Sequence, residues 1–457
     1  MAAGPGPQRG PKGSLLLGHL PELQQDWLGT LRRWQQEYGD FVVARLGPRP
    51  AVFVFDPKDA EAILITKYKA SRKNFIIRRT QALIGDGLLL SEGEFWRRQR
   101  RLMQPAFHRA SIDRYAQFMA EVTQERLDQW QDGQALDIHA ELVLLTRSIV
   151  SRSLFGSDVD DEDREIETTI DRLVNDFSKL TDSPVLIPLA VPTPTNLRFR
   201  RDREKLDRLV FRFIERRRRE PGDRNDLISM LLRAQDEDGS RMTDRQLRDE
   251  VITLFLAGHE TTASALTWAI YLLTAYPEAA QRLAQEADRV LGGRPPTAED
   301  VPHLTYAENV FKEAMRLYPP NWIMGRETTE PIEVRGRIIP KGWNLLISPW
   351  VIHRDPRWFD EPDTFRPERW ESEGVKNLPT CAYLPFGAGP RQCIGRHFAM
   401  MEGVIILASI VQRYRLHRDL SRPVVPLPLV SIRPKGGLVV TVERRQRRPA
   451  DRALQPR

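Results

Sequence analysis

Apolar residues recur at helical spacing through much of the chain. From Pro57 to about Leu291 they fall at the i, i+3 and i+4 positions of amphipathic helices. A further long helix is predicted from about Arg396 to Tyr414. Short runs rich in β-branched and aromatic residues flank this helical body, at 41–47, 51–56, 331–336, 343–349 and 437–443. The pattern predicts a mainly α fold with a minor β region.

Length and composition indicate one large folded domain. The chain has 457 residues, of which 41% are apolar, so it can bury a substantial core and is not disordered as a whole. No internal repeat or interdomain linker is evident. We expect a flexible Pro/Gly-rich arm at 1–24, a single large domain at 25–443 and a disordered tail at 444–457. The Pro-broken apolar segment 183–196 is either a buried connector or a lid over an apolar site.

Charge and cysteine content argue against several classes of protein. There are 69 Lys and Arg against 62 Asp and Glu, and a net charge of +7 is modest for this length, so nucleic-acid binding is not predicted. The run Arg216–Arg219 is interpreted as a solvated helix end. Two cysteines are too few for a disulfide scaffold. The most apolar stretch, 251–270, is interrupted by polar residues and no signal peptide is evident, so we expect no membrane span and a cytoplasmic location.

One cysteine lies in a sequence suited to an anionic sulfur ligand. The segment FGAGPRQCIG, Phe386–Gly395, surrounds Cys393 with glycines and a proline, which favour a tight irregular loop. Such a loop can turn backbone N–H groups toward a thiolate, and a helix starting near Arg396 directs its positive end to the same place. Phe386 can shield the sulfur from water. A lone cysteine is by default a buried structural residue, and Cys381, which lacks such flanks, keeps that interpretation.

A polar notch interrupts the apolar helix predicted at 251–270. Its residues read AGHETT, Ala257–Thr262. Gly258 together with Thr261 favours a locally opened helix next to a space. Glu260 beside Thr261 supplies an acid and an alcohol, the two parts of a proton relay. Considered alone, the segment is better explained as an ordinary buried helix with a polar notch, because an acid–threonine pair is common.

Three further motifs complete a pattern that resembles the cytochrome P-450 monooxygenases. They are W-x-x-x-R at Trp96 and Arg100, E-x-x-R at Glu313 and Arg316, and FRPERW, in which Arg369 is the matching arginine and Trp370 replaces the usual Phe. With AGHETT and the cysteine loop, five motifs follow the family's order over about 25–443. The resemblance implies the cytochrome P-450 fold, as a single large domain of the soluble bacterial type.

The resemblance also implies roles for individual residues. Cys393 is the axial iron ligand of a haem b (iron protoporphyrin IX) that is not covalently attached, and thiolate ligation favours O–O cleavage. Glu260 and Thr261 form the proton relay. The other implied roles are haem contacts by Trp96, Arg100, Arg326, Arg391 and Phe386, a structural trio of Glu313, Arg316 and Arg369, and an apolar substrate pocket with Leu89, Leu90, Ala257, Asn321, Trp322 and Ile323. His353 is explained as well by a structural role as by a haem contact.

The implied reaction inserts one atom of O₂ into a C–H bond of an apolar small molecule, fatty acid or terpenoid-like, while the other atom becomes water. The residues after Cys393 are too few for a flavin domain, so electrons are expected from an external ferredoxin or flavodoxin with its NAD(P)H-dependent reductase. A monomer is expected. The alternatives are a peroxide-dependent peroxygenase, which usually lacks the acid–threonine pair; a non-catalytic haem sensor or electron carrier, which needs no notch at Gly258; and a haem-free helical interaction protein, which needs no cysteine loop.

Overall fold

The computed structural model describes residues 10–156, 165–166, 168–170, 172–173, 191–219 and 226–446. The chain forms two compact units, each built from separated segments. Unit 1 comprises Met1–Asn74, Ile112–Thr146 and Glu260–Arg457, and unit 2 comprises Phe75–Ser111 and Arg147–His259. Most of the Pro-broken segment, 183–190, and most of the predicted tail, 447–457, lie outside the described residues.

Helices account for most of the regular structure in the described residues. They are α1 (Leu20–Gln25), α2 (Trp27–Tyr38), α3 (Pro57–Glu61), α4 (Phe75–Arg78), α5 (Gln81–Ile84), α6 (Gly93–Met103), α7 (Arg109–Leu127), α8 (Ile138–Phe155), α9 (Pro194–Arg219), α10 (Leu227–Arg233), α11 (Asp244–Ala275), α12 (Pro277–Leu291), α13 (Thr305–Leu317), α14 (Pro349–Ile352), α15 (Glu373–Lys376) and α16 (Arg396–Arg413). The predicted helical body and the predicted helix at about 396–414 are therefore confirmed.

Within the described residues, the strands all belong to unit 1. They are β1 (Phe41–Leu46), β2 (Arg49–Val54), β3 (Ser71–Lys73), β4 (Ala135–Asp137), β5 (Met324–Thr328), β6 (Ile332–Val334), β7 (Arg337–Ile339), β8 (Asn344–Ile347), β9 (Tyr414–His417), β10 (Pro426–Pro428), β11 (Ile432–Pro434) and β12 (Val439–Arg444). They form a five-stranded sheet in the order β1-β2-β8-β5-β3, a three-stranded sheet β4-β12-β9, and the two-stranded pairs β6-β7 and β10-β11. Each of the five predicted strand segments overlaps one of these strands, although β2 begins two residues before its segment and β12 ends one residue after its segment.

The five-stranded sheet is buried on both faces. Along β2, Val52 and Val54 pack into one hydrophobic cluster, while Phe53 packs into another. In β8, Leu345 and Leu346 likewise belong to different clusters. Successive strand residues point to opposite faces, so a strand covered on both sides needs an unbroken apolar run. The apolar sequences of β2 and β8 meet that requirement.

Two expectations differ from the structure. Residues 10–24, which we placed in a flexible arm, include a β-bridge from Gly18 to Leu46 and the first helix, α1. In unit 2, Arg217 from the presumed solvated run is only 8% exposed. Its guanidinium donates to the carbonyl oxygen of Phe155 and lies 4.9 Å from the centroid of the Phe213 ring. The end of α9 is therefore only partly a solvated basic face.

The sequence predicts that no segment spans a membrane, and the helices of the structure bear on this point. Among the described residues, no helix combines the length and the apolar character that a bilayer crossing requires.

Candidate active site

The loop before α16 presents Cys393 in unit 1. Gly387 and Gly389 have φ values of +69° and +68°, in the left-handed region that favours glycine. A Cβ on Gly389 would lie 2.5 Å from the carbonyl oxygen of Leu64, so a side chain there is excluded by contact as well as by φ. The N–H of Cys393 donates to the carbonyl of Phe386 across the loop at 2.9 Å. Glycine is thus required where the chain turns to bring the cysteine forward.

The two cysteines have opposite environments. Cys381 is fully buried, and burial raises the pKa of its thiol to about 12, so it remains a protonated thiol at neutral pH. Cys393 is exposed, three residues before the N-terminus of α16, whose positive end favours a nearby thiolate. A thiolate-ligated haem requires one accessible cysteine of this kind. The residues of this loop therefore fit the cofactor that the sequence implied.

The notch in α11 is an exposed face on an unbroken helix. α11 is helical through every residue of AGHETT, so the predicted opening is not a break in the helix. A Cβ on Gly258 would lie 2.8 Å from Cγ2 of Val150, so the glycine permits close packing in unit 2. Ala257 and Thr261, one turn apart, are exposed, whereas every other residue from 251 to 270 is buried or half-buried. The exposed part of the notch is therefore the helix face that carries Ala257 and Thr261.

The acid of the notch is held by a serine that the sequence analysis missed. Glu260 is half-buried, and its Oε1 accepts a hydrogen bond from Oγ of Ser431 at 2.9 Å. Ser431 follows β10 immediately before β11, and its Oγ lies 3.2 Å from Oγ of Ser264 on α11. All three residues belong to unit 1. No motif in the sequence marks Ser431, because its partner lies far away along the chain.

The structure brings Glu313, Arg316 and Arg369 together in the interior of unit 1. The Glu313 carboxylate accepts from Nε and Nη2 of Arg316, both on α13, and from Nε of Arg369 at 2.8 Å. It also accepts from the backbone N–H of Arg366 and from the indole N–H of Trp370 at 3.0 Å. The tryptophan that replaces the family's usual phenylalanine therefore adds a donor to this carboxylate.

His353 connects this trio to the cysteine loop. Its Nδ1 is 3.2 Å from the carbonyl of Arg316, to which it must donate, and its Nε2 accepts the backbone N–H of Leu384 at 2.7 Å. Complete burial, with the charge of Arg316 nearby, lowers the pKa of His353 to about 3. A neutral histidine with one donating and one accepting nitrogen is structural, which resolves the alternative left open above.

In unit 2, two carboxylates of α11 hold the predicted substrate loop. Asp249 accepts the backbone N–H of Asp86, and Glu250 accepts that of Leu88, both at 2.9 Å. A Cβ on Gly85 would collide with the Asp249 carboxylate. Glu250 is completely buried, and burial raises its pKa to about 8. The residues GDG before the leucines thus allow close approach to α11, a purpose that the sequence did not indicate.

The apolar residues predicted to meet substrate have different environments. Leu89 is 41% exposed, and Leu90 beside it is buried. Asn321 is exposed and Ile323 is half-buried, but Trp322 is only 6% exposed, packs in the core of unit 1 and donates its indole N–H to the carbonyl of Leu429. Trp322 therefore anchors the β10–β11 hairpin through this hydrogen bond.

The predicted haem contacts are divided between the two units. In unit 2, Trp96 and Arg100 of α6 help to line a recess of about 380 Å³, together with Arg97, Arg101, Gln104, Pro105 and His108. Arg101 and the neighbouring Arg98 form ion pairs with Asp236. In unit 1, Arg391 and Phe386 lie on the cysteine loop, and Arg326 is half-buried on β5.

Comparison with known proteins gives consistent matches. The family model described as "Cytochrome P450" matches residues 8–440. Cyclooctatin synthase of Streptomyces melanosporofaciens is 39% identical over 407 residues, 88% of this chain and 87% of that protein. Cyclooctat-9-en-7-ol 5-monooxygenase of the same organism is 38% identical over 409 residues, with 88% and 87% covered. The crystal structure of the cytochrome P450DA heme domain matches with a TM-score of 0.87 and 26% identity, covering 97% of this chain and 99% of that chain.

Proposed function

Because the chain belongs to the cytochrome P450 family, and is therefore a monooxygenase with the predicted fold, we propose that it hydroxylates an apolar, terpenoid-like small molecule. Bound haem supplies the iron at which O₂ is activated. We propose haem b as the form, held without covalent attachment. Electrons come from an external ferredoxin or flavodoxin with its NAD(P)H-dependent reductase, and the protein acts as a monomer.

The observation that carries the proposal is the contrast between the two cysteines. Cys393 is exposed on a glycine-shaped loop beside a helix N-terminus, whereas the thiol of Cys381 is buried with its pKa raised to about 12. Cys393 would thus hold the haem iron through its thiolate, with Phe386 beside it limiting access of water to the sulfur. Arg391 and Arg326 in unit 1, and Trp96 and Arg100 in unit 2, are assigned to the haem propionates.

Proton transfer is assigned to the exposed face of α11. Thr261 presents its hydroxyl on that face, and Glu260 precedes it with a carboxylate whose Oε1 is fixed by Ser431. A carboxyl group and a hydroxyl in sequence can pass a proton from solvent to a reacting oxygen. This pair favours O₂-dependent chemistry, which consumes protons from solvent, over a peroxygenase, which takes up no net protons because peroxide already carries those that leave as water.

Two observations support a terpenoid-like substrate. Leu89 and Ala257 in unit 2 are exposed, Ile323 in unit 1 is half-buried, and each offers apolar surface of the kind that suits a hydrocarbon skeleton. The relative at 38% identity is named for oxygenation of cyclooctat-9-en-7-ol, a terpenoid. A fatty acid is the second candidate, since its chain is equally apolar.

Spectra of the haem-loaded protein test the proposal. The reduced CO complex of the wild type should show the strongly red-shifted Soret band of thiolate ligation, Cys393→Ala should lose it, and Cys381→Ala should keep it. A normal spectrum from the Cys393 variant would contradict the ligand assignment. Titration with terpenes, fatty acids and steroids should then give a low-to-high-spin shift at the lowest concentration for a terpene. Tighter binding of fatty acids would overturn the substrate class.

A further inference from the structure

Ser431 lies between two residues of one face of α11. Its Oγ donates to Oε1 of Glu260 at 2.9 Å and is 3.2 Å from Oγ of Ser264, one turn further along the helix. A serine hydroxyl carries a single hydrogen, and that of Ser431 goes to Glu260, so Ser264 must donate to Ser431. Ser264 and Ser431 are 0% and 1% exposed. Two buried hydroxyls therefore form a donor chain that ends on the acid of the notch.

The hairpin that carries Ser431 is fixed on both sides of it. The indole N–H of Trp322 donates to the carbonyl of Leu429, and that of Trp268 donates to the carbonyl of Ile432, both at 2.9 Å. The N–H of Ile432 also donates to the carbonyl of Pro320 at 3.2 Å. Since the residues flanking Ser431 are anchored to the core of unit 1, its hydroxyl has little freedom to follow a moving carboxylate. The contact therefore constrains Glu260 rather than the serine.

The pKa of a nearby histidine, His139, depends on the charge of the Glu260 carboxylate. Nδ1 of His139 is 3.0 Å from Oγ of Thr267, whose own hydrogen goes to the carbonyl of Ala263 at 2.7 Å. Nδ1 therefore carries a proton and donates. Burial lowers the pKa of His139, and the negative charge of Glu260 partly opposes that shift. The other charged groups acting on this histidine are Asp137 and Arg433.

We propose that Ser431 is a positioning residue for the reaction. By fixing Oε1 of Glu260, it leaves Oε2, to which no described residue donates a hydrogen bond, as the oxygen that takes a proton from solvent and releases it toward Thr261. The hydroxyl of Ser264 strengthens this hold by donating to Ser431. The inference rests on the proposed monooxygenase function, because the carboxylate needs one orientation only if it delivers protons.

Ser431→Ala tests the role in turnover. The substitution removes a hydrogen bond to a carboxylate, and the fraction of molecules with Glu260 in the required orientation should fall about tenfold. We expect the product formed per NAD(P)H to fall by up to that factor, with the balance recovered as peroxide. Ser431→Thr keeps the hydroxyl and should restore most of the yield. The CO spectrum and the substrate dissociation constant should be unchanged, because neither depends on proton delivery.

The matched control is Ser409→Ala. Ser409 is a fully buried serine on α16 whose hydroxyl has no hydrogen-bond partner among the described residues, so its loss should leave the yield at the wild-type value. If Ser431→Ala behaved like Ser409→Ala, the positioning role would be overturned. A loss that Ser431→Thr failed to restore would equally contradict it, since it would point to packing and not to the hydroxyl.

An NMR titration of His139 tests the geometry without turnover. Glu260→Gln removes the charge and should lower the pKa of His139. Ser431→Ala should also change the pKa of His139, because the carboxylate of Glu260 is no longer held at its distance from the imidazole. Ser409→Ala should leave that pKa at the wild-type value. An unchanged pKa in the Ser431 variant, alongside a shift in the Glu260 variant, would show that the carboxylate keeps its position and would overturn the inference. This readout stands even if the wild type fails to hydroxylate any terpenoid, so failure of the proposed function is distinguishable.

Discussion

Glu250→Gln should make the protein more stable at alkaline pH. Glu250 is buried in unit 2, and burial raises its pKa from 4.5 to about 8. The folded state therefore binds this proton more tightly than the unfolded state does. The stability it contributes is fully present below pH 4.5 and is lost as the pH rises to about 8. Since one pKa unit corresponds to about 1.4 kcal/mol, the loss across this window is about 5 kcal/mol.

Glutamine is the informative replacement because it has nearly the same shape as the glutamic acid side chain but no group that ionises. Its amide oxygen can still accept the backbone N–H of Leu88, which Glu250 binds at 2.9 Å. The charge of the neighbouring Asp249, which adds to the raised pKa of Glu250, then meets a neutral partner at every pH. The variant should therefore match the wild type to within about 1 kcal/mol near pH 5, since it exchanges one neutral hydrogen-bonding group for another.

The measurement is urea unfolding of the holoprotein at intervals from pH 5 to pH 9, for the wild type, Glu250→Gln and the control Glu94→Gln. Glu94 is an exposed carboxylate paired with Arg97, so its loss should change stability by less than about 1 kcal/mol at any pH. The gap between Glu250→Gln and the wild type should widen by several kcal/mol in favour of the variant above pH 7. A gap that stays constant across the range would refute the reasoning, because it would mean that Glu250 titrates alike in both states.

Three further predictions concern unit 1. Glu313→Gln should lower the free energy of unfolding by about 3–5 kcal/mol in urea titrations, because it leaves Arg316 and Arg369 buried without their carboxylate; a loss below 1 kcal/mol would contradict the structural role. Gly389→Ala should reduce the haem content of the purified protein, measured by absorbance, since its φ of +68° and the carbonyl of Leu64 both exclude a side chain; full haem loading would show that the loop can relax. Thr261→Ala should bind substrate normally but divert reducing equivalents to peroxide, measured as peroxide per NAD(P)H, and unchanged yield of product would remove Thr261 from the proton relay.

Local sequence patterns were sufficient to predict most helices and strands and to recognise the motifs. Helical periodicity located the helical body, and short apolar runs rich in β-branched and aromatic residues located β1, β2 and β8, because these signals come from residues a few positions apart. The glycines around Cys393 likewise predicted a tight loop before α16, since positive φ values are a local requirement. Family membership followed from the same motifs taken in order.

The local sequence patterns could not predict which side chains are buried or what they contact. Arg217 looked solvated within a run of four arginines, and Trp322 looked like pocket lining, yet tertiary packing buries both. The sequence also left His353 undecided, and only its complete burial and its two hydrogen bonds, to Arg316 and Leu384, show that it is neutral and structural. Burial depends on which distant segments pack against a residue, and the residues next to it in the sequence do not determine that.

The polar contacts that tune the site were decided by tertiary structure alone. The sequence by itself determined that an acid and an alcohol follow each other on α11 and that a cysteine ends a glycine-rich loop. It contained no sign that Ser431 would meet Glu260, 171 residues away, or that Leu88 would donate to Glu250, 162 residues away. Such pairs form because packing of whole elements brings distant backbone segments within hydrogen-bonding distance, and a single buried donor then fixes the carboxylate it meets.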